Sequence, residues 1–356
     1  MTDLHFHPLR VRSVEADTAE ARVVTFEPVD GEAARWHFQP GQHLTLRATV
    51  GGQELRRSYS LCAPPGEPLR VGVRRVSGGA FSSWLHQQLR PGDLVDAMPP
   101  QGAFGRALAL APRHVLAVAG GSGITPMLSI LKTHLRASPA NRATLVYANR
   151  TAASTMFAAE LDDLKNRHLA RLAVFPVFSR EQVDAPLAAG RLDAARLGTI
   201  LRLVGGAAAV DQAFVCGPHA MNDEVEAALR EAGVEPARVH VERFGVPPAE
   251  RAAAAEPQPG DATTARITLV RDGLTREFGF TAADGNLLDA AARAGLDVPY
   301  SCKSGVCATC RAKMVEGQVR MARNFALEPA DLAAGFVLTC QAHPLTERVV
   351  VSFDER

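Results

Sequence analysis

A chain of 356 residues exceeds one ordinary domain and divides most naturally into two or three, each large enough for its own core. Hydrophobic residues make up 47% and charged residues 22%, a soluble globular balance, and a formal net charge of +1 argues against a generic binder of nucleic acid or other polyanions. The stretch Met1 to Arg10 lacks a signal-like apolar core and no later run approaches the roughly 20 apolar residues of a membrane span, so the expectation is a cytoplasmic protein with neither membrane nor nucleic-acid partner.

Residues 1–110 read as short alternating strands, at Leu9 to Val14, Ala21 to Phe26, His43 to Val50, Glu54 to Leu61 and Leu69 to Val76. Turns at Pro40-Gly41, Gly51-Gly52, Pro64-Pro65-Gly66 and Pro91-Gly92 punctuate them, which predicts an antiparallel β-barrel interrupted by one helix at Phe81 to Leu89. Two motifs stand here. Arg57-Ser58-Tyr59-Ser60 closes a strand, and Gly78-Gly79-Ala80-Phe81-Ser82 opens the helix. An Arg pairs with a phosphate, a Tyr lies against a ring or ribose, and a glycine-rich helix start offers N–H groups to a second phosphate, so together they outline a dinucleotide. Taken singly, the first is equally an exposed edge strand and the second a turn.

Residues 111–244 change texture to apolar strands alternating with helices: His114 to Ala119, a helix from Thr125 to Arg136, then Ala143 to Ala148. That alternation predicts a doubly wound parallel α/β sheet with a nucleotide at the carboxyl ends of its strands. The turn Gly120-Gly121-Ser122-Gly123-Ile124-Thr125-Pro126 lets the backbone approach a pyrophosphate at a helix N-terminus, although it is not the G-x-G-x-x-G fingerprint. The second strand runs out at Asn149-Arg150 with no acid to accept a ribose hydroxyl, which favours NADPH over NADH unless Arg150 is merely a solvated strand end. Cys216-Gly217-Pro218 leaves a later strand before a helix from Met221 to Ala232; a thiol there faces a ligand crevice or packs as a small hydrophobe. Cys62 reads as structural.

Residues 245–264, rich in Pro, Ala, Glu and Gln, have no hydrophobic period and read as an interdomain linker, spanning roughly 25 Å as a flexible coil. Residues 265–356 hold a hairpin about Asp272-Gly273, a helix from Leu287 to Ala294, and closing strands at Val337 to Thr339 and Val349 to Phe353. Between them lies Cys302-Lys303-Ser304-Gly305-Val306-Cys307-Ala308-Thr309-Cys310, with Cys340 downstream. C-x4-C-x2-C plus one distant Cys is the ligand spacing of a plant-type [2Fe-2S] cluster. Structural zinc would bring two short Cys pairs, and buried unligated thiols or disulfides are the remaining alternatives.

In combination these motifs resemble those of ferredoxin-NADP reductase-like enzymes. The order, reductase first and plant-type ferredoxin last, resembles the reductase components of bacterial multicomponent oxygenases, and is most similar to the reductase subunits of phenylacetyl-CoA epoxidase systems. Supporting stretches are Phe38-Gln39-Pro40-Gly41-Gln42-His43, Glu54-Leu55-Arg56-Arg57 and His240-Val241-Glu242-Arg243-Phe244. The resemblance implies a β-grasp-like ferredoxin domain, and FAD held by Arg57, Tyr59 and Ser60 with Gly79 to Ser82 on its pyrophosphate. It further implies Ser60 at the reactive flavin nitrogen, Cys216 beside the nicotinamide and Phe244 packed near the isoalloxazine. Electrons would pass from NADPH to FAD, singly to the cluster, and on to a terminal oxygenase, a di-iron epoxidase complex by this likeness. A reductase for a Rieske dioxygenase or another hydroxylase is the alternative within enzymes, and an iron–sulfur redox sensor the alternative outside them. Two departures stand out. Plant reductases end in an aromatic residue over the flavin, whereas this chain continues past Phe244. Residues 265–356 carry 11 Lys and Arg against 11 Asp and Glu, unlike the acidic free ferredoxins, so docking to the reductase is expected to be mostly non-ionic.

Overall fold

The computed structural model describes residues 3–29, 31–247, 256 and 258–355. They form two compact units, Phe6–Phe244 on one hand and Gly245–Arg356 with Met1–His5 on the other. Among the described residues no helix is long and apolar enough to cross a membrane.

In the first unit β1 (His7–Thr18), β2 (Ala21–Pro28), β3 (His43–Val50), β4 (Gln53–Ser60), β5 (Leu69–Arg74) and β6 (Leu94–Ala97) lie in the order β4-β3-β6-β1-β2-β5, all antiparallel. Gly51 and Gly52 turn the β3–β4 hairpin with φ of 58° and 79°, values that two consecutive side-chain-bearing residues rarely adopt. The two outer strands meet where Leu61 bridges to Val71 and the Cys62 N–H donates to the Arg70 carbonyl at 2.8 Å, closing the sheet into a barrel. Alternation turns Leu9, Val11, Leu44 and Leu46 inward, where α1 (Ala80–Gln87) adds Phe81 and Leu85.

The parallel strands β7 (His114–Gly120), β8 (Arg142–Asn149), β9 (Leu172–Phe178), β10 (Gln212–Cys216) and β11 (Val239–Glu242) follow in the order β11-β10-β7-β8-β9. Connecting them are α2 (Ile124–Ala137), α3 (Ala158–Arg167), α4 (Ala194–Leu203) and α5 (His219–Glu231). Both faces are covered: Val115, Ala117 and Ala119 point into one core, Leu116 and Val118 into the other. The chain order reverses between β7 and β10, which places the ligand crevice at Gly120 and Cys216. Barrel and α/β sheet are joined by part-buried polar contacts. Arg70 forks onto Glu160 at 2.9 and 2.8 Å, Lys132 reaches the same carboxylate, and Asp17 accepts from the Phe157 N–H at 3.0 Å.

In the second unit β12 (Thr264–Arg271), β13 (Leu274–Thr281), β14 (Arg311–Glu316), β16 (Phe336–Leu338) and β18 (Arg348–Ser352) form a mixed sheet in the order β13-β12-β18-β14-β16. Only β12 and β18 run parallel. A small ladder pairs β15 (Val319–Met321) with β17 (Ala342–Pro344), and α6 (Leu287–Arg293) lays Leu287, Leu288 and Ala291 on a core of Ile267, Leu338, Val349 and Val351. The expected hairpin turn is present: Asp272 and Gly273 both have positive φ, and Asp354 accepts from their N–H groups at 2.6 and 2.9 Å. Leu4 is buried in this same core. Of the expected linker, residues 248–255 and 257 lie outside the described residues. Its last residues are anchored, because Asp261 forks with Arg320 at 2.8 and 2.5 Å and the Ala262 N–H donates to Pro344 at 2.8 Å.

Candidate functional site

The barrel's contribution sits at the end of β4 and the start of α1. Strand alternation puts Arg57 and Tyr59 on one face and Ser58 and Ser60 on the other. Arg57 is exposed, and its Nη1 donates to the Arg56 carbonyl at 2.7 Å. Ser58 Oγ lies 3.2 Å from Thr45 Oγ1. Burial pushes the Tyr59 hydroxyl up, and its ring meets Phe81 at 6.0 Å between centroids. Phe81 in turn packs on Trp84 and is 2% exposed. Its side chain therefore belongs to the core, and only its backbone N–H is available to a ligand. Ser82 behaves similarly: its hydroxyl donates to the Gly79 carbonyl at 3.2 Å and accepts from the Val76 N–H at 3.1 Å, bracing the turn. Gly78 has φ of 71°, and a Cβ on Gly79 would lie 2.9 Å from Ser82 Oγ. The cradle is thus built from main chain, with the first N–H groups of α1 free of intrahelical partners.

Across the crevice, three glycines let two turns touch. A Cβ on Gly120 would fall 2.6 Å from Pro218 Cδ, one on Gly123 2.0 Å from the Cys216 carbonyl oxygen, and one on Gly217 2.3 Å from Met221 Cε. Gly121 has φ of 54°, its carbonyl accepts from the Tyr147 hydroxyl at 3.0 Å, and Arg74 from β5 reaches to within 2.9 Å of where a Cβ would sit. Thr125 is buried and donates to the Ser122 carbonyl at 3.0 Å, and Pro126 is buried in the first turn of α2, where its missing N–H costs nothing. Asn149 is buried beside Tyr147, whereas Arg150 is exposed.

The end of β9 adds what the sequence reading lacked. Ser179 and Arg180 donate their N–H groups to the Asn149 and Arg150 carbonyls at 2.9 and 2.8 Å, and Glu181 accepts from the Ala152 N–H at 2.6 Å. Ser179, Arg180 and Glu181 line a cavity of about 560 Å³. An acid therefore does stand beside the end of β8, delivered by the neighbouring strand, together with a second arginine.

At the crevice the two halves are joined through three side chains. Cys216 is fully buried at the end of β10 and lies in register with Glu242 at the end of β11. Ser60 Oγ donates to Glu242 Oε2 at 3.5 Å. Glu242 keeps some surface open to the crevice, yet protein atoms crowd it closely; that burial pushes its carboxyl up to about 8, against a smaller downward pull from Ser60. Burial first and Glu242 second hold Cys216 as a neutral thiol. Phe244, two residues on, is 46% exposed.

The folded chain keeps the Glu242 proton up to about 8, whereas an unfolded carboxyl releases it near 4.5. Folded protein thus binds more protons across that window, and the stability this supplies is full below 4.5 and lost as pH rises through about 8. A Glu242→Gln protein is expected to show a flatter fall of Tm between neutral and mildly alkaline pH than the parent; matching slopes would contradict the assignment.

The cysteine loop forms the third element. Lys303, Gly305 and Ala308 all have positive φ (51°, 78° and 55°), so the segment curls tightly. A Cβ on Gly305 would press on Gln341 Cγ at 3.2 Å and the Arg323 carbonyl at 3.3 Å. Among the described residues no three candidate ligands close on a point as around one ion, but the thiols are in mutual contact: Cys302 meets Cys307 and Cys340, and Cys340 also meets Cys310. Those neighbours, with the Ser304 and Val306 N–H groups, hold the Cys302 thiol well below its ordinary range, while Cys302 pushes Cys307 and Cys340 up. The Ser304 N–H donates to Cys302 Sγ at 3.3 Å, and the Gln341 amide to Cys340 Sγ at 3.5 Å. Three sulfurs in a curled loop and a fourth from Cys340, largely buried and with N–H groups directed at Cys302 and Cys340, fit an iron–sulfur cluster.

No role is legible in the sequence for Glu242, Arg74, Arg180 or Glu181, and only the fold brings them to the crevice or the end of β8. Glu242 has one sequence signal, an acid closing the last strand of the parallel sheet, two residues before Phe244.

Residues 8–105 match the family model of an oxidoreductase FAD-binding domain, 117–227 that of an oxidoreductase NAD-binding domain, and 271–345 that of a 2Fe-2S iron-sulfur cluster binding domain. The chain is 43% identical to one of the subunits of the 1,2-phenylacetyl-CoA epoxidase of Escherichia coli, covering 99% of this chain and 98% of that one. It is 34% identical to the ferredoxin reductase component of 3-ketosteroid-9-alpha-monooxygenase of Rhodococcus rhodochrous, covering 97% and 96%. Phthalate dioxygenase reductase shares the fold, with a TM-score of 0.60 at 23% identity over 98% of both chains. The chain therefore belongs to the family of FAD-, NAD(P)H- and [2Fe-2S]-dependent reductases that serve as the electron-transfer components of multicomponent oxygenases.

Proposed function

We propose that the oxygenase served is a di-iron epoxidase acting on phenylacetyl-CoA during cytoplasmic phenylacetate breakdown, and that the electrons come from NADPH in preference to NADH, because Arg150 and Arg180 are both exposed at the end of β8 while the Glu181 carboxylate there is engaged by the Ala152 N–H. The partner is supported by the 43% identity along the whole chain, against 34% for the ketosteroid relative. The route rests on one observation above others: Ser60 from the barrel reaches Glu242, beside Cys216, from the α/β sheet. Hydride transfer needs its two partners in contact, and these side chains join the nucleotide-binding halves where that contact would fall.

In this reading the exposed Arg57 offers its guanidinium to the flavin phosphates, and Ser58, Tyr59 and Ser60 line the flavin. Gly78, Gly79, Phe81 and Ser82 give backbone N–H groups to its pyrophosphate. Gly121, Gly123, Thr125 and Pro126 open α2 toward the nicotinamide dinucleotide, Asn149 and Arg150 take its adenosine end, and Cys216, Gly217 and Pro218 its nicotinamide end. Cys302, Cys307, Cys310 and Cys340 hold the cluster. When bound, FAD would take two electrons from the nicotinamide as a hydride and release them one at a time, and the cluster would carry them outward. Ser60 and Glu242 keep a proton between them at the barrel rim, and the buried neutral Cys216 excludes water from the nicotinamide position. Phe244, exposed at the mouth, covers the flavin ring.

Arg150→Glu is expected to lower the ratio of NADPH to NADH efficiency (kcat/KM) by about tenfold or more, since a charge-assisted contact to a 2′-phosphate becomes a repulsion. An unchanged ratio would assign the 2′-phosphate to another group. A second reading, service to a different hydroxylating oxygenase, draws on the ketosteroid relative. Reconstitution separates them: NADPH-driven epoxidation of phenylacetyl-CoA with the epoxidase's oxygenase components supports the proposal. Turnover only with a Rieske-type oxygenase overturns it.

A further inference from the structure

The edge strand β11 is four residues long, has one neighbour, and carries Glu242 at its last position. Such a strand end frays unless something holds it. What holds it is α5, the helix that starts directly after Cys216-Gly217-Pro218. From α5, Asn222 Nδ2 donates to the Glu242 carbonyl at 3.0 Å. Arg243, the next residue, is 8% exposed and turns its guanidinium back onto the same helix: Nη2 donates to Asp223 Oδ1 at 2.6 Å and lies 3.7 Å from Glu226 Oε2, and Nη1 reaches the His219 carbonyl at 3.5 Å. His219 Nδ1 completes the cluster on Asp223 at 3.0 Å. A buried guanidinium just past the end of an edge strand is costly to place unless its carboxylate partners hold that end in position. Here the residues on either side of it, Glu242 and Phe244, are thereby fixed relative to Cys216.

We propose that Arg243 is a positioning residue for hydride transfer: by fastening the end of β11 to α5 it keeps Glu242 on Ser60 and Phe244 at the mouth of the crevice. The inference rests on the roles given above to Glu242 and Phe244. Arg243 itself touches neither nucleotide position; it acts through its neighbours.

The test uses the full-length protein loaded with FAD and cluster, and follows NADPH-dependent ferricyanide reduction. Arg243→Gln is expected to lower kcat about ten- to hundredfold, the scale of a small misplacement at a reacting centre, with KM for NADPH, FAD content and Tm little changed. Arg243→Lys, which keeps the charge, is expected to recover part of the rate, and guards against a Gln variant that folds poorly. Because Arg243 acts through Glu242, Arg243→Gln is expected to cost much less in a Glu242→Gln background. An equal cost in both backgrounds, or a fall of kcat that tracks lost Tm and is not relieved by Lys, overturns the proposal. A Glu242→Gln protein with the parent's kcat instead overturns the role of Glu242 itself, and with it any positioning through that residue.

Discussion

A Gly123→Val protein is expected to lose NAD(P)H oxidation and to unfold at a markedly lower temperature. The reason lies in the backbone: a Cβ at Gly123 would stand 2.0 Å from the Cys216 carbonyl oxygen and 2.5 Å from its carbon, so no side-chain rotation relieves the clash. Relief would require β10 or the start of α2 to move, at the very place where the sheet order reverses. Overpacking of this kind costs about 3 kcal/mol or more, roughly 6–12 °C in Tm for a unit of this size. Gly198 provides the contrast. It lies within α4, where an added Cβ meets only the end of Arg202 at 3.7 Å. Gly198→Ala is expected to be neutral or stabilising by up to about 1 kcal/mol through helix propensity. Thermal melts of the two variants check both; equal losses would mean that the contact between the two turns is not what Gly123 provides.

Cys310→Ser is expected to remove the cluster while sparing flavin reduction. Cys310 is 2% exposed, sits in the core of the second unit, and its carbonyl accepts from the Thr339 hydroxyl at 3.0 Å, so a hydroxyl in its place fits sterically but is a poor ligand for iron. The hydrophobic cores of Phe6–Phe244 are built without residues of the second unit. Iron content and the cluster's visible absorbance should fall to near zero, and the rate at which NADPH bleaches the flavin should not change. Retained cluster absorbance would take Cys310 out of the ligand set.

The glycine turns and the cysteine spacing were legible because their requirements are local. Gly121, Gly305 and the Asp272-Gly273 pair each answer a positive φ, and a ligand loop declares itself by spacing alone. The barrel and the parallel sheet were legible from period and punctuation. What could not be read comes from distance. Ser60 and Glu242 lie 182 residues apart in sequence, and the raised carboxyl of Glu242 exists only because β10, β11 and the barrel crowd it. The acid that β8 lacks at its end is supplied from beyond β9 by Glu181. Phe81 and Ser82 show the opposite limit: the motif was found, but their side chains brace the core and the turn, and the ligand-facing group is main chain.

The central proposal is a single route within one chain: from a nicotinamide at Cys216 and Glu242, past a flavin at Ser60, to a cluster held by Cys302, Cys307, Cys310 and Cys340. Anaerobic addition of NADPH to the full-length, cofactor-loaded protein, followed by visible absorbance and electron paramagnetic resonance, tests it directly. Flavin absorbance is expected to bleach and the signal of a reduced [2Fe-2S] cluster then to appear, both suppressed in Glu242→Gln relative to the parent at short times. A cluster that stays oxidised under excess NADPH while the flavin is fully reduced would contradict that route.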